Sequence, residues 1–198
     1  MNNEQLQALG IDAKWLEPLN KTFEKYEINT PLRQAAFIGQ VQHESNNFKV
    51  LQENLNYSAK GLMATWPSRF PDIDTAERYE HQPEKIANKV YGGRADLGNT
   101  EDGDGWRFSG KGLIQLTGRS NFTVCGLALG RPFAEHPELV LEPENAALTA
   151  GWFFNKRGLN SLADNEDWTT ITKRINGGVI GLQDRIDRIH KAMDILGA

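Results

Sequence analysis

The sequence predicts a mainly α-helical domain with at most a small β element. Apolar side chains return at intervals of three and four residues in several segments of the 198-residue chain. Capping residues or prolines precede most of these segments, and glycine or asparagine follows their ends. Only one short apolar run lacks a helical signal, so any sheet must be small.

The first half of the chain carries four helical segments. Residues 3–26 show a weak helical pattern. A stronger helix begins at Pro31, after the capping residues Asn29 and Thr30, and runs to about Glu44. Further helices are expected over 58–65 and over 74–90, the latter as one or two pieces interrupted near a proline.

The second half begins with a glycine- and aspartate-rich stretch, 91–110, whose composition predicts a long loop. An ordered loop of this length in a compact domain is usually functional or mobile. The apolar run 113–116 is the one candidate strand. Helices are then expected over 119–129, 143–156, 168–176 and 181–196, the last with an apolar stripe for core packing.

Composition excludes several classes of function. The net charge is -4 and no run of Lys or Arg occurs, so nucleic-acid binding is not expected. The single cysteine, Cys125, cannot form an intramolecular disulfide and is expected in the core. The four histidines are scattered, so no metal or cofactor is expected. The sequence shows neither a signal peptide nor an apolar segment suited to stable membrane insertion.

Glu44 is the first candidate for chemistry. It shares a helical face with Phe37 and Val41, at spacings of i, i+4 and i+7. A carboxyl at the end of an apolar stripe loses solvent, which raises its pKa and suits proton donation to a leaving sugar oxygen. On spacing alone, a surface glutamate at the end of a helix is the simpler interpretation.

Glu53 is the second candidate, and it follows a segment rich in amides and aromatic side chains. Such groups hold sugars by hydrogen bonds and ring contacts, although an ordinary polar loop has the same composition. Two carboxylates across a cleft form a glycosidase, with separations of about 6.5–9.5 Å for inversion and about 5–5.5 Å for retention. Sequence does not measure that separation.

Four ordered stretches, 35–45, 53–70, 103–122 and 175–185, resemble glycoside hydrolase family 19. The resemblance is closer to the bacterial and phage lysins of this chitinase-like family. It implies a lysozyme-like, two-lobed helical fold, with the glycan in a groove between the lobes. Residues 1–198 would then form a single catalytic domain without a separate wall-binding module. The first 30 residues match no motif of the family.

The resemblance also implies roles for individual residues. Glu44 would be the general acid, Glu53 the general base, and Thr117 would help to hold the attacking water. The residues expected to contact or support the substrate are His43, Tyr57, Gln115, Asn121, Asn176 and Arg185, the last as an electrostatic support for Glu44. Plant chitinases carry an acidic residue shortly after the Asn-Gly-Gly motif, where this chain has Val179 and Ile180. The ion pairs around Arg185 should therefore differ from theirs.

The expected function is that of an endolysin that cleaves β-1,4 bonds between N-acetylmuramic acid and N-acetylglucosamine with inversion. It would act on peptidoglycan as a monomer without cofactor. It would collect in the host cytoplasm and reach the wall after another protein permeabilises the membrane. Three alternatives stay open: a chitinase, a non-catalytic glycan-binding module and a lytic transglycosylase.

Overall fold

The structure, a computed structural model describing residues 1–198, consists of helices joined by loops, which confirms the predicted mainly α-helical fold. No strand forms, and the isolated β-bridges join Lys111 to Gln52 and to Leu116. None of the helices combines the length and apolar character that crossing a bilayer requires. The α-helices are α1 (Asn3–Ala8), α2 (Leu16–Lys25), α3 (Pro31–Glu44), α4 (Ala59–Thr65), α5 (Ile73–Glu77), α6 (Pro83–Tyr91), α7 (Asp104–Arg107), α8 (Arg119–Leu129), α9 (Pro143–Lys156), α10 (Leu159–Asp164), α11 (Trp168–Asn176) and α12 (Leu182–Leu196), and short 3₁₀ helices lie at Ala13–Trp15, Ala95–Leu97 and Pro137–Leu141.

One compact unit of the chain contains α1–α3 and α9–α12. It comprises Met1–Leu51, Gly112–Gln115 and Leu139–Ala198. The ring of Phe37 on α3 meets Phe23 on α2 and Phe154 on α9 edge to face, with each pair of ring centroids 5.5 Å apart. All three rings are buried, and each such pair stabilises by about 0.5–1.5 kcal/mol beyond the area it buries. The helix that ends at Glu44 is therefore anchored in the core.

The closest helix packing in this unit is between α3 and α12. A Cβ atom on Gly39 would lie 2.4 Å from Cγ1 of Ile189 and 2.8 Å from the backbone nitrogen of the same residue. Backbone atoms cannot move aside, so only glycine fits at this crossing. The close approach places the first turn of α12, which carries Arg185, beside the last turn of α3.

The second compact unit contains α4–α8. It comprises Gln52–Lys111 and Leu116–Glu138. Its own apolar core is formed by Leu55, Ala59, Leu62, Phe70, Ala76, Ile86, Ala87 and Val90. The guanidinium of Arg119 on α8 holds both carboxylate oxygens of buried Asp104 on α7, at 2.6 and 2.8 Å, and thereby lowers the pKa of Asp104. This pair fixes the glycine-rich stretch to α8.

Most helices begin and end where the sequence predicts. The hydroxyl of Thr30 accepts the backbone N–H of Arg33 at 3.2 Å, so that Thr30 caps α3 and Pro31 is its first residue. α6 begins at Pro83, the predicted interruption. The predictions for α4, α8, α9, α11 and α12 are also confirmed, with bounds within about one or two residues.

Two expectations about local structure are wrong, and one helix was not predicted. Residues 113–116 form no strand, because φ of +90° at Gly112 and +33° at Gln115 turns the chain back on itself. The stretch 91–110 is not a loop throughout, since it contains a 3₁₀ turn and α7. The helix α10 was not predicted because its six residues are too few for a periodic signal. An ion pair of 2.6 Å between Arg33 and Asp164 ties α10 to α3.

A left-handed turn follows α3. Asn46, Asn47 and Phe48 have consecutive φ values of +47°, +58° and +65°. This conformation costs roughly 1–2 kcal/mol per residue for most side chains, so other contacts must hold it. The Asn47 amide donates to the carbonyl oxygen of Gly10 at 2.8 Å, and the buried ring of Phe48 packs against Trp15 with 5.2 Å between centroids. The N-terminal segment therefore stabilises the turn that follows Glu44.

We expect Asn46→Gly to raise the free energy of unfolding by about 0.5–1 kcal/mol, because glycine adopts this φ without strain and Asn46 is exposed. Asn47→Gly relieves a similar strain but loses the bond to Gly10 and the bond of 2.8 Å accepted from Gln42. This second variant should be less stable than the unmodified protein. Urea unfolding of the three proteins checks both expectations, and an Asn46→Gly variant with no added stability contradicts the first.

Candidate active site

Glu44 is the last residue of α3, and its side chain is 22% exposed. Its Oε1 atom is buried and accepts no hydrogen bond of regular geometry. The nearest charged group is Nη2 of Arg185, at 2.5 Å. The apolar face of α3 predicted an apolar setting for this carboxylate. The structure differs, because a guanidinium forms an ion pair with its buried oxygen.

Arg185 is almost completely buried, with a side-chain exposure of 2%. Its Nη1 donates to Oε1 of Gln40 at 2.6 Å, and its Nε donates to the carbonyl oxygen of Ile180 at 3.2 Å. The Gln40 amide in turn donates to the hydroxyl of Thr172 on α11 at 3.2 Å. Three helices and one loop thus fix the guanidinium. In the loop before α12, the partner of Arg185 is the backbone carbonyl of Ile180. The family resemblance led us to expect an acidic side chain in this loop in plant chitinases.

A second charged group lies beside this pair on the surface. Nδ1 of His43 is 2.6 Å from Oδ2 of Asp184, which also accepts a hydrogen bond of 2.7 Å from Nε of Arg188. Arg188 first, and then His43, lowers the pKa of Asp184. The imidazole also lies against Gly181, where an added Cβ would come within 2.3 Å of the ring. His43 is thus held in one orientation next to Glu44.

Glu53 belongs to the other compact unit and is held by two donors. The hydroxyl of Tyr91, at the end of α6, donates to Oε1 at 2.5 Å. The backbone N–H of Gly110 donates to Oε2 at 3.1 Å, and the backbone N–H of Glu53 donates to the carbonyl of Gly110 at 2.9 Å. Each carboxylate oxygen therefore receives one hydrogen bond and keeps a lone pair for another donor.

Lys111 places a buried amine in the same unit. Its Nζ donates to the carbonyl oxygens of Arg107 and Ser109, at 3.0 and 3.1 Å, and to the hydroxyl of Ser109 at 3.3 Å. Burial disfavours the charged amine and lowers its pKa to about 8, and the charge of Glu53 partly opposes this shift. Glu53 therefore has a cationic neighbour at neutral pH.

Comparison with known proteins identifies the family. A protein of Haemophilus influenzae, named as a glycosyl hydrolase family 19 domain-containing protein, is 36% identical over 184 residues, which cover 89% of this chain and 86% of that protein. The chain belongs to glycoside hydrolase family 19. The scan against family models returned no match.

Other relatives of this family 19 chain are chitinases. Acidic endochitinase Q of Nicotiana tabacum is 35% identical over 107 residues, or 42% of each chain. Chitinase C of Streptomyces griseus has the same fold, with a TM-score of 0.68 and 20% identity over 100% of this chain and 76% of its own. The structure of a bacterial family 19 chitinase gives a TM-score of 0.71 with 18% identity, over 100% and 95% of the two chains. The predicted family 19 chitinase fold is confirmed.

The remaining predicted site residues of this family 19 protein lie in different places. Tyr57, Thr117 and Asn121 belong to the unit of Glu53, whereas Gln115 and Asn176 belong to the unit of Glu44. Asn121 is exposed and its amide donates to the carbonyl of Thr117 at 2.8 Å. Tyr57 packs edge to face on Trp66, with ring centroids 5.0 Å apart. Their roles toward substrate stay predictions.

Gln115 and Asn176 each lie at a turn of the backbone. The Gln115 side chain donates to the carbonyl of Gly112 at 3.2 Å, and its φ of +33° is uncommon for a residue with a side chain. Asn176 is exposed at the end of α11, just before Gly177 takes a left-handed conformation. The contact of either side chain with a substrate stays a prediction.

Sequence reasoning missed three residues that surround the two glutamates. The sequence analysis assigns Gln40 to a helix, Tyr91 to the start of a loop, and Lys111 only to the matched stretch 103–122. Gln40 precedes Glu44 by one helical turn on the same face, which is a signal that could have indicated it. The partners of Tyr91 and Lys111 depend on tertiary folding, and no local pattern indicates them. No three acidic, histidine or cysteine side chains lie close enough to hold a metal ion.

Proposed function

We propose that this family 19 glycosidase hydrolyses its glycan with inversion, with Glu44 as the general acid and Glu53 as the general base. Glu44 gives its proton to the glycosidic oxygen as the bond to the anomeric carbon breaks. A water attacks that carbon from the opposite face and gives its proton to Glu53. The products are two glycans, each with a complete hydroxyl at the cleaved position.

The observation that carries the proposal is the different setting of the two matched glutamates in a chain of this family. One oxygen of Glu44 lies against the buried guanidinium of Arg185. This cation stabilises the negative charge that the carboxylate acquires when the acid gives up its proton. Glu53 receives one hydrogen bond on each oxygen, from Tyr91 and from Gly110, which orient the carboxylate and leave a lone pair on each oxygen to accept from a water. We propose that Thr117 helps to hold the attacking water.

We propose peptidoglycan as the substrate, with cleavage between N-acetylmuramic acid and N-acetylglucosamine. The order of the four motifs, their resemblance to the lysin branch and the single cysteine, which excludes an intramolecular disulfide, support this choice. Chitin is the second candidate, because relatives from tobacco and rice are named chitinases. In either case the partner is a β-1,4-linked glycan strand that contains N-acetylglucosamine.

The two substrates are separated by a parallel digest. Purified peptidoglycan and chitin hexamers are incubated with the unmodified protein and with Glu53→Gln, and the new reducing ends are identified after borohydride reduction. We expect reduced N-acetylmuramic acid from peptidoglycan and little release from chitin. Release from chitin alone would overturn the choice of peptidoglycan, and equal activity of Glu53→Gln would overturn the role of the base.

Stereochemistry tests the mechanism itself. Proton NMR during the first minutes of digestion should show the α-anomer of the new reducing end, since a single displacement inverts a β-linkage. A first-formed β-anomer would contradict the inverting mechanism. A product lighter by one water would instead indicate a lytic transglycosylase, and binding without any product would indicate a glycan-binding module.

The cellular setting proposed for this activity is phage lysis. The protein would act as a monomer without cofactor and accumulate in the host cytoplasm. A separate membrane-permeabilising protein would then give it access to the wall. Expression in the cytoplasm of a bacterium tests this, because cells should lyse only after their inner membrane is permeabilised from outside. Lysis without that treatment would contradict the proposed setting.

A further inference from the structure

We propose that Tyr91 is a positioning residue for Glu53 that orients the carboxylate through its hydroxyl. The inference rests on the proposed function, because it assigns Tyr91 to the base of that reaction. Oε1 of Glu53 accepts the hydroxyl at 2.5 Å, and Oε2 accepts the backbone N–H of Gly110 at 3.1 Å. With one donor on each oxygen, the plane of the carboxylate is fixed, and one lone pair on each oxygen remains for water.

Tyr91 is itself held at both its backbone and its ring. Its carbonyl oxygen accepts the side-chain amide of Asn99 at 3.0 Å, and Asn99 is fully buried. The carbonyl of that amide accepts the backbone N–H of Arg119 at 2.9 Å, and the ring of Tyr91 packs on the apolar core of its unit. The hydroxyl is therefore placed by three separate parts of the chain.

The phenol remains a donor throughout the pH range in which a glycosidase works. Burial first, and then the hydrogen bond to Glu53, raises the pKa of Tyr91 above its ordinary value. The charge of Lys111 also acts on Glu53, but its three N–H groups donate to Arg107 and Ser109. Tyr91 is thus the side chain that fixes the direction of the carboxylate.

The test is Tyr91→Phe, which removes the hydroxyl and keeps the ring. We expect kcat to fall about 10- to 100-fold, the usual effect of losing a hydrogen bond to a charged group. KM should change by less than about twofold, because the hydroxyl acts on the base and not on the bound sugar. Tyr79→Phe is the matched control: Tyr79 packs on the same core, 5.5 Å from Phe70, and has no contact with Glu53 in the structure.

Two further measurements distinguish positioning from a general loss of structure. Proton NMR should show a downfield hydroxyl signal in the unmodified protein that is absent from both Tyr91→Phe and Glu53→Gln. Thermal unfolding of each variant records any change in stability.

The outcomes separate this inference from the function on which it rests. An active unmodified protein, an inactive Glu53→Gln and a Tyr91→Phe with unchanged kcat would overturn the role of Tyr91 alone. A parallel loss in Tyr79→Phe would overturn it as well, since the effect would then be structural. An unmodified protein without activity on any glycan would overturn the hydrolase proposal and this inference together.

Discussion

Glu44→Gln is expected to lower the rate of glycan hydrolysis by about 100- to 10,000-fold, the range for loss of a general acid. The amide has nearly the same shape as the carboxyl but does not donate a proton to the leaving oxygen. The rate of reducing-end release from purified peptidoglycan, or from chitin hexamers if these are the better substrate, measures the effect. Retained hydrolysis would end the assignment of Glu44 as the acid.

The same substitution should also destabilise the protein. Arg185 has a side-chain exposure of only 2% and would lose its charged partner, while its bonds to Gln40 and Ile180 remain. We expect a cost of about 1–3 kcal/mol, because the buried guanidinium would then face a neutral amide in place of a carboxylate. Glu53→Gln is the matched control: activity falls similarly, but stability changes less because both hydrogen-bond donors to Glu53, the Tyr91 hydroxyl and the Gly110 N–H, are neutral.

Arg185→Met is expected to have the largest effect on stability, a loss of about 3–5 kcal/mol in the free energy of unfolding. The substitution removes the partner of a buried carboxylate oxygen and the donor to Gln40. Urea unfolding measures the loss. Arg188→Met is the control on the same helix, because Arg188 forms an i, i+4 surface pair with Asp184 and should cost less than about 1 kcal/mol.

The double variant Glu44→Gln with Arg185→Met should be more stable than Arg185→Met alone. It leaves no charge without a partner, and unpaired charge is the main cost of breaking a buried ion pair. Non-additive losses in this cycle measure the coupling between the two side chains. If the two losses simply add, Arg185 acts on the fold without acting on Glu44.

Local signals explain how much of this fold the sequence predicts. The hydroxyl cap of Thr30, the proline that follows it and the break after Glu44 all lie within one segment, so both ends of α3 could be placed to within about one residue. α10 had no such signal, and it is held by the distant ion pair between Arg33 and Asp164. The apolar run 113–116 suggested a strand because hydrophobicity does not show that a positive φ at Gln115 turns the chain.

The candidate site divides in the same way. Glu44 and Glu53 could be proposed from the sequence, because each lies within a short stretch of neighbouring residues that resembles the family. The donors that hold them could not, because Tyr91 is 38 positions after Glu53 and meets it only through tertiary folding. The partner of Glu44, Arg185, was known only through the resemblance, and its bond to the carbonyl of Ile180 required the structure.

The packing of α12 on α3 has a consequence for biosynthesis. Gln40 on α3 and Arg185 on α12 are 145 positions apart in the sequence. They meet because Gly39 lets the two helices pack closely where they cross. During translation, Glu44 is made long before Arg185 and stays without its guanidinium until α12 has left the ribosome. Fragments from interrupted synthesis or early proteolysis lack the charge partner of the acid and should be inert. A bacterium that produces this protein would then hold no active enzyme until whole chains have folded.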